Sequence, residues 1–459
     1  MKILTVRELL TIVGGNLITG NLDLEINNAT PYVESMKKPN TLLFLLRKWK
    51  IKWDILYKYK PCVVITDKIF IELLKFEDCT LIKVDNDEEA YQKFINFYRN
   101  QFDIPIIAVT GTSGKSTTVG MIEHVLSKHL DVVATKNSAN GRTSHFMYLM
   151  SIDNSTEAAV FEAAVGKPGD ITNACKYYKP QIGVITNIGT HHIDECITQE
   201  GYINAKGELL SSLPNDGVLI INSDDEFTSK LPINQFKGRV VTVSTEHEST
   251  FTATNIQYTE NGMSFDLTYN GECENFCVPG FGLHQVYNAL QAIAAANELG
   301  INFKQIKEAL KTFEKLPLRF QVKKGLNSCI LLNDSWNVTT TSLKAALITQ
   351  KELSKGRKQV VLLGEIHRTG QYTNEIAAQY VELFMKYGSD VDTLVTISNT
   401  GELIVNALKA HGFKGKLYNF QNEQGIIELL SEELDNDTIF LLKVTVEDNP
   451  DFINRLIIN

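Results

Sequence analysis

The sequence predicts an α/β chain of three domains: a small N-terminal α/β domain over residues 1–100, a central parallel-sheet domain over 101–316 and a C-terminal Rossmann-like domain over 317–459. Three observations predict it. A chain of 459 residues exceeds what one hydrophobic core usually supports. Short β-branched runs alternate with amphipathic helical patterns along most of its length, as in parallel sheets covered by helices. Between one such strand and helix lies Val109-Thr110-Gly111-Thr112-Ser113-Gly114-Lys115-Ser116-Thr117-Thr118, a glycine-rich turn that makes the central domain a P-loop domain.

The elements follow in order. Thr5 caps a first helix whose apolar positions (Leu9, Leu10, Ile12, Val13) end at Gly14-Gly15, and strand-like runs follow at Thr41–Leu46 and Cys62–Thr66. Arg47–Lys60 mixes six basic residues with Trp49, Trp53, Tyr57 and Tyr59; an amphipathic surface with inward aromatics is expected, and an anion-binding wall is the alternative. In the central domain Ala158–Ala163 and Ile182–Ile188 read as buried strands. A β-rich segment (Gly238–Val243, Thr250–Tyr258, Met263–Tyr269) and the Ala-rich helix Val286–Leu299 complete it. The last domain alternates strands (Ile330–Asn333, Gln359–Glu365, Thr393–Ser398, Leu417–Phe420, Thr438–Val444) with helices such as Glu375–Tyr387, Leu403–His411 and Gln424–Leu434. That is a doubly wound pattern, without a Gly-x-Gly-x-x-Gly at its first turn.

Composition narrows the function classes. Hydrophobic content of 43% and charged content of 22% are those of a soluble globular protein. A net charge of −9 argues against nucleic acid as the main partner, because a phosphate backbone needs a basic footprint. The start MKILTVRELL lacks an apolar h-region with a cleavage site, and no apolar run reaches spanning length, so a cytoplasmic protein without membrane insertion is expected, as a monomer or weak homo-oligomer. Seven scattered cysteines, of which only Cys273 and Cys277 lie close together, make no zinc set and read as reduced thiols.

The turn carries the chemistry. Gly111 and Gly114 let the backbone approach an anion, and the amides of Thr112, Ser113 and the helix start at Lys115–Thr117 point at it. Lys115 supplies a mobile cation for β/γ oxygens, and the Ser116 hydroxyl suits Mg²⁺. Glu162 stands at the end of a predicted strand, where open α/β sheets place ligands. On composition alone, His192 reads as a polar group and Lys206 as surface charge on a helix.

The loop lacks the usual P-loop glycine at Val109 and reads Thr-Gly-Thr-x-Gly-Lys-Ser-Thr-Thr, which resembles the Mur ligase family, ATP-dependent enzymes that join an amino acid or peptide to a carboxylate. The resemblance runs on through Glu162 before Pro168-Gly169-Asp170-Ile171, Thr186-Asn187-Ile188-Gly189-Thr190-His191-His192-Ile193-Asp194, Gly282-Leu283-His284-Gln285-Val286-Tyr287-Asn288-Ala289-Leu290, Leu316-Pro317-Leu318-Arg319 and Asn333-Asp334-Ser335-Trp336-Asn337. It implies a central ATPase domain, ATP and Mg²⁺ as cofactors, and a small-molecule carboxylate and amine as substrates. It further implies metal ligation by Ser116, Glu162 and His192, with Lys206 as a carbamate supporting a second ion. Asn288 would face adenine, Arg319 the nucleotide and Asp334 the ribose, while Asn140 and Asn187 would meet substrate. Lys115, His192, Lys206 and Arg319 would be the catalytic group.

Departures from the pattern matter as well. The opening Val6-Arg7-Glu8-Leu9-Leu10 through Gly14-Gly15 resembles family members that take longer peptide precursors, but their Asp-Ser-Arg signature is replaced by Ala29-Thr30-Pro31-Tyr32-Val33-Glu34-Ser35. Gln285 replaces an asparagine, and Val338-Thr339-Thr340 replaces Asn-Pro or His-Thr-Pro. Gly364-Glu365-Ile366-His367-Arg368-Thr369-Gly370 and Leu442-Lys443-Val444-Thr445 match only in part. An acyl-phosphate-forming amide ligase is the leading reading. The alternatives are a divergent member acting on a carboxylate outside peptidoglycan and a nucleotide-binding regulator without ligase activity.

Overall fold

The computed structural model describes residues 1–46, 51–69, 71–136, 138–190, 193–367, 369–445 and 450–457. The chain forms two compact units. One comprises Met1–Ala108, His129–Phe161 and Thr172–Pro180; the other comprises Val109–Lys128, Glu162–Ile171 and Gln181–Asn459.

In the first unit, Thr5 caps the helix Val6–Val13 in a reciprocal box with Glu8, and Gly14 closes it at φ +74°. A five-stranded sheet runs in the order Asn16–Thr19, Cys79–Lys83, Cys62–Thr66, Thr41–Phe44, Asn28–Thr30, antiparallel only at its first pair. The helix Trp53–Lys58 turns Leu56 inward, with Trp53, Ile55 and Tyr59 packed at the edge of that core. This agrees with an amphipathic surface for the described part of the basic aromatic stretch; residues 47–50, Trp49 included, lie outside the described residues. Buried Arg99 donates to the carbonyls of Phe102 and Tyr178, and the Tyr98 hydroxyl donates to Ile152 O at 2.7 Å. The bonds to Tyr178 and Ile152 tie His129–Phe161 and Thr172–Pro180 to the first hundred residues of this unit.

In the second unit, Ile182–Ile185, Val218–Asn222 and Arg239–Ser244 form a parallel run that continues through Phe251–Tyr258 into an antiparallel ladder with Gly262–Tyr269 and Glu272–Pro279. The strand Ile106–Thr110 ends beside this run, with Thr186 N–H donating to Thr110 O and Ala163 N–H to Val109 O. The helix Leu283–Glu298 is buried through most of its length, including five alanines and Ile293, as its composition demands.

The C-terminal sheet runs Gln321–Lys324, Ile330–Asn333, Thr438–Lys443, Lys358–Leu363, Thr393–Ile397, Lys416–Phe420, parallel except for its first strand. Alternate residues face opposite cores. Leu332, Val361 and Leu441 pack with helices Thr340–Ser354, Thr373–Tyr387 and Ser398–Ala410, while Leu331, Val360 and Phe440 pack with Ile426–Glu433 and Pro450–Arg455. Both faces are covered, so the doubly wound reading holds. The predicted helices Leu403–His411 and Gln424–Leu434 shift at their starts, to Ser398 and Ile426. At Ser398, φ is +81°, a turn forced directly at the strand end rather than five residues later.

Candidate nucleotide site

The strand Ile106–Thr110 is wholly buried and delivers the chain to Gly111 at φ +143°, where a methyl group would sit 1.9 Å from Thr186 Oγ1. Gly114, at φ +84°, caps the helix Lys115–Leu126, and a methyl there would meet Asn288 Oδ1 at 2.5 Å. Only glycine fits either position. The helix has no side-chain cap at its start, so its first-turn amides remain available to an anion.

Residues 186–189 brace the loop. Asn187 O accepts from Thr112 N–H at 2.8 Å, its side-chain oxygen accepts from Ser113 N–H at 3.0 Å, and its amide nitrogen donates to Ser113 O at 3.0 Å. Thr186 Oγ1 donates to Ser113 O at 2.6 Å, and Gly189 N–H donates to Thr112 Oγ1 at 2.8 Å. The amide that the family resemblance directs at substrate is thus bonded on both sides to the phosphate loop. Those bonds give Asn187 a bracing task on the loop.

Charged groups converge on the same turn. Ser116 Oγ donates to Glu162 Oε2 at 2.7 Å, and Arg319 Nη2 donates to Ser116 Oγ at 3.1 Å while its guanidinium lies over the Trp336 ring at 4.6 Å. Lys115 Nζ donates to Thr112 O at 3.0 Å and stands 3.9 Å from Glu162 Oε1. Burial lowers the Lys115 pKa, Glu162 opposes that shift, and Arg319 adds to it. Lys206 is 1% exposed, with Nζ donating to Gly111 O at 2.9 Å. Burial, and then the charge of Lys115, hold its ammonium well below the usual lysine range, against the pull of Glu162. The expectation of a solvated surface lysine from composition alone fails, because Tyr202, Ile203, Leu209 and Leu210 put Lys206 on the buried stripe of its helix.

Asn288 Oδ1 accepts from the buried Thr118 hydroxyl at 3.3 Å, beside Gly114, and Thr117 is buried in the first helical turn. Asp334 Oδ2 accepts from Lys443 Nζ at 2.6 Å, and Oδ1 accepts from Phe320 N–H at 3.2 Å. Burial, opposed by Asp334 and assisted by Lys443, drops the His284 pKa to about 4. His192 lies outside the described residues. Asn140 belongs to the first unit, where its N–H donates to Ser138 O. Twelve of the named residues therefore belong to one cluster or its immediate frame: Gly111, Thr112, Ser113, Gly114, Lys115, Ser116, Thr117, Glu162, Asn187, Lys206, Asn288 and Arg319.

Sequence reasoning missed Thr186, Trp336, Thr339 and Thr341 as contributors. Ser113 Oγ lies 3.1 Å from Thr339 Oγ1 and 3.3 Å from Thr341 Oγ1. Only the break in the family pattern at Val338-Thr339-Thr340 pointed there. At the carboxyl ends of the C-terminal strands a cavity of about 480 Å³ is lined by Glu365, Ile397, Asn422, Glu423 and Gln424. Among the described residues no three His, Cys, Asp or Glu side chains gather as a metal set, no cysteine forms a disulfide, and no helix is long and apolar enough to cross a membrane.

A phosphate loop at a strand-to-helix junction, flanked by a carboxylate, two lysines and an arginine, defines a nucleotide-binding α/β protein. Comparison with known proteins sharpens that class. Residues 109–296 match the Mur ligase middle domain. The UDP-N-acetylmuramoyl-tripeptide–D-alanyl-D-alanine ligase of Bacillus subtilis is 26% identical over 369 residues, 80% of this chain and 79% of that protein. MurF from Acinetobacter baumannii has the same fold at a TM-score of 0.85 and 20% identity, covering 99% of this chain and 98% of that one. MurF from Thermotoga maritima, solved in complex with ADP, follows at 0.76 and 15% identity, covering 93% and 96%. The chain is an ATP-dependent amide-bond ligase similar to MurF, with the Mur ligase middle domain at residues 109–296.

Proposed function

We propose that this ligase activates a substrate carboxylate as an acyl phosphate, with the γ-phosphate of ATP held at Gly111–Ser116, and then joins it to an incoming amino acid or peptide amine. The observation that carries the reading is the convergence of Lys115, Ser116, Glu162, Lys206 and Arg319 on one turn. Lys115 and Arg319 stabilise charge on the transferring group, Asn288 sits beside the base, and Asp334 faces the ribose. The Ser116 hydroxyl and the Glu162 carboxylate are hard oxygen donors in mutual contact, which fits Mg²⁺, an ion that completes its shell with phosphate oxygens and water. Bound there, the ion would neutralise phosphate charge. Burial beside Lys115 lowers the Lys206 pKa and so favours the neutral amine, the form that adds CO₂, with loss of a proton, to give a carbamate. His192 and that carbamate would serve a second ion. The cavity lined by Glu365, Ile397, Asn422, Glu423 and Gln424 receives the amine.

The domains divide near residues 101 and 317, and the enzyme works in the cytoplasm as a monomer or weak homo-oligomer in peptidoglycan synthesis. A second reading, a carboxylate other than a uridine-linked muramoyl peptide, is favoured by Ala29–Ser35 in place of Asp-Ser-Arg. Supplying ATP, UDP-N-acetylmuramoyl-tripeptide and D-alanyl-D-alanine, and following phosphate release with the mass of the product, separates the two. Brisk release with amide product supports the first; ATP turnover only with other acids supports the second. Phosphate release without any amide across a broad panel of acids and amines would contradict both.

A further inference from the structure

The phosphate loop is gripped from the C-terminal region at two hydroxyls. At one end, Arg319, seated on Trp336, donates to Ser116. At the other, Ser113 Oγ meets Thr339 Oγ1 at 3.1 Å and Thr341 Oγ1 at 3.3 Å, and those two threonines lie 3.4 Å apart. Both grips lean on one short segment, Asp334–Thr341, which supplies Trp336 beneath Arg319 and both threonines, and whose base is fixed by buried Lys443 bonding Asp334 Oδ2 and Asn337 O, each at 2.6 Å. The two threonines differ in their other duties. Thr339 is the N-cap of the fifteen-residue helix Thr340–Ser354, accepting from Ser342 N–H. Thr341 lies in the helix's first turn, against the Thr186–Gly189 brace: a methyl on Gly189 would meet its Oγ1 at 2.7 Å and its Cγ2 at 2.9 Å. Its hydroxyl therefore touches the loop, and its side chain fills the space beside Gly189 that a methyl there would need.

We propose that Thr341, with Thr339, is a positioning residue: a hydroxyl latch that keeps the segment Asp334–Thr341 on Ser113 and so sets the shape of the phosphate loop before nucleotide arrives. A loop already held in its binding form binds more tightly by the fraction of time it would otherwise spend out of that form. Losing one such hydroxyl contact should weaken nucleotide binding about fivefold. The claim rests on the ligase reading only for its kinetic arm.

Thr341→Val removes the hydroxyl at nearly constant volume and spares the Thr339 cap; Thr341→Ser keeps the hydroxyl and removes the methyl. Two readouts are compared across the three proteins. The first is amide exchange at Gly111–Ser116 in the nucleotide-free protein, which asks about the latch alone. The second is KM for ATP against kcat. The latch predicts faster exchange and an about fivefold higher KM in Thr341→Val with kcat within about twofold, and near wild-type values in Thr341→Ser. Unchanged exchange in Thr341→Val, or equal damage from both substitutions, would overturn it. Faster exchange in Thr341→Val, alongside a wild-type protein that turns over no ATP, would leave the latch standing and remove the ligase reading.

Discussion

Asp334→Asn should cost the C-terminal sheet far more than its one lost charge suggests. Lys443 is 1% exposed, and its ammonium donates to Asp334 Oδ2 and Asn337 O, both at 2.6 Å. Asparagine keeps the shape and still accepts from Phe320 N–H, but it leaves a buried ammonium facing a neutral amide. Breaking a buried pair from one side costs about 3–5 kcal/mol. Against a urea dependence of about 2 kcal/mol per molar, that is a shift of about 2 M in the unfolding midpoint. Lys443→Met should cost less, because the Asp334 side chain is 16% exposed and can recover water. The double substitution should be more stable than Asp334→Asn alone, since no uncompensated charge remains. Urea unfolding read by exchange protection over Thr438–Lys443 follows this strand without requiring the whole chain to unfold in one step. A midpoint shift under about 0.5 M for Asp334→Asn, or a double mutant equal to the sum of the singles, would refute the buried-pair reasoning.

Two further outcomes follow from the loop. Gly114→Ala must adopt φ +84° and place its methyl 2.5 Å from Asn288 Oδ1, so ADP affinity should fall at least tenfold by calorimetry and the urea midpoint should fall with the local strain. Lys206 has a depressed folded pKa, so between that value and the usual lysine range the unfolded chain holds the extra proton and stability rises with pH. Lys206→Met should flatten that slope in urea midpoints measured from neutral to alkaline pH; an unchanged slope would assign it to other groups.

The sequence made the architecture legible wherever turn residues bounded a short apolar run: Cys62–Thr66 and Ile330–Asn333 match to the residue. Elsewhere strands ended earlier than their apolar runs, as at Ile182–Ile185, because Thr186–Gly189 leaves the sheet to brace the loop. Lys206 was legible in principle. Its neighbours at three and four residues on either side are apolar, and only the habit of reading a lysine as solvated obscured it. The pairs Asp334–Lys443 and Ser113–Thr341 were not legible, since partners 109 and 228 residues apart carry no local pattern. The bonds between Asn187 and Ser113, 74 residues apart, were not legible for the same reason.

The most direct measurement of the central claim is the fate of carboxylate oxygen. With an acid substrate labelled with ¹⁸O in its carboxylate, together with ATP and an accepted amine, one labelled oxygen should appear in the released phosphate for each amide formed, and Lys115→Ala should abolish both. Amide formation with unlabelled phosphate, or undiminished turnover in Lys115→Ala, would contradict activation of the acid at Gly111–Ser116.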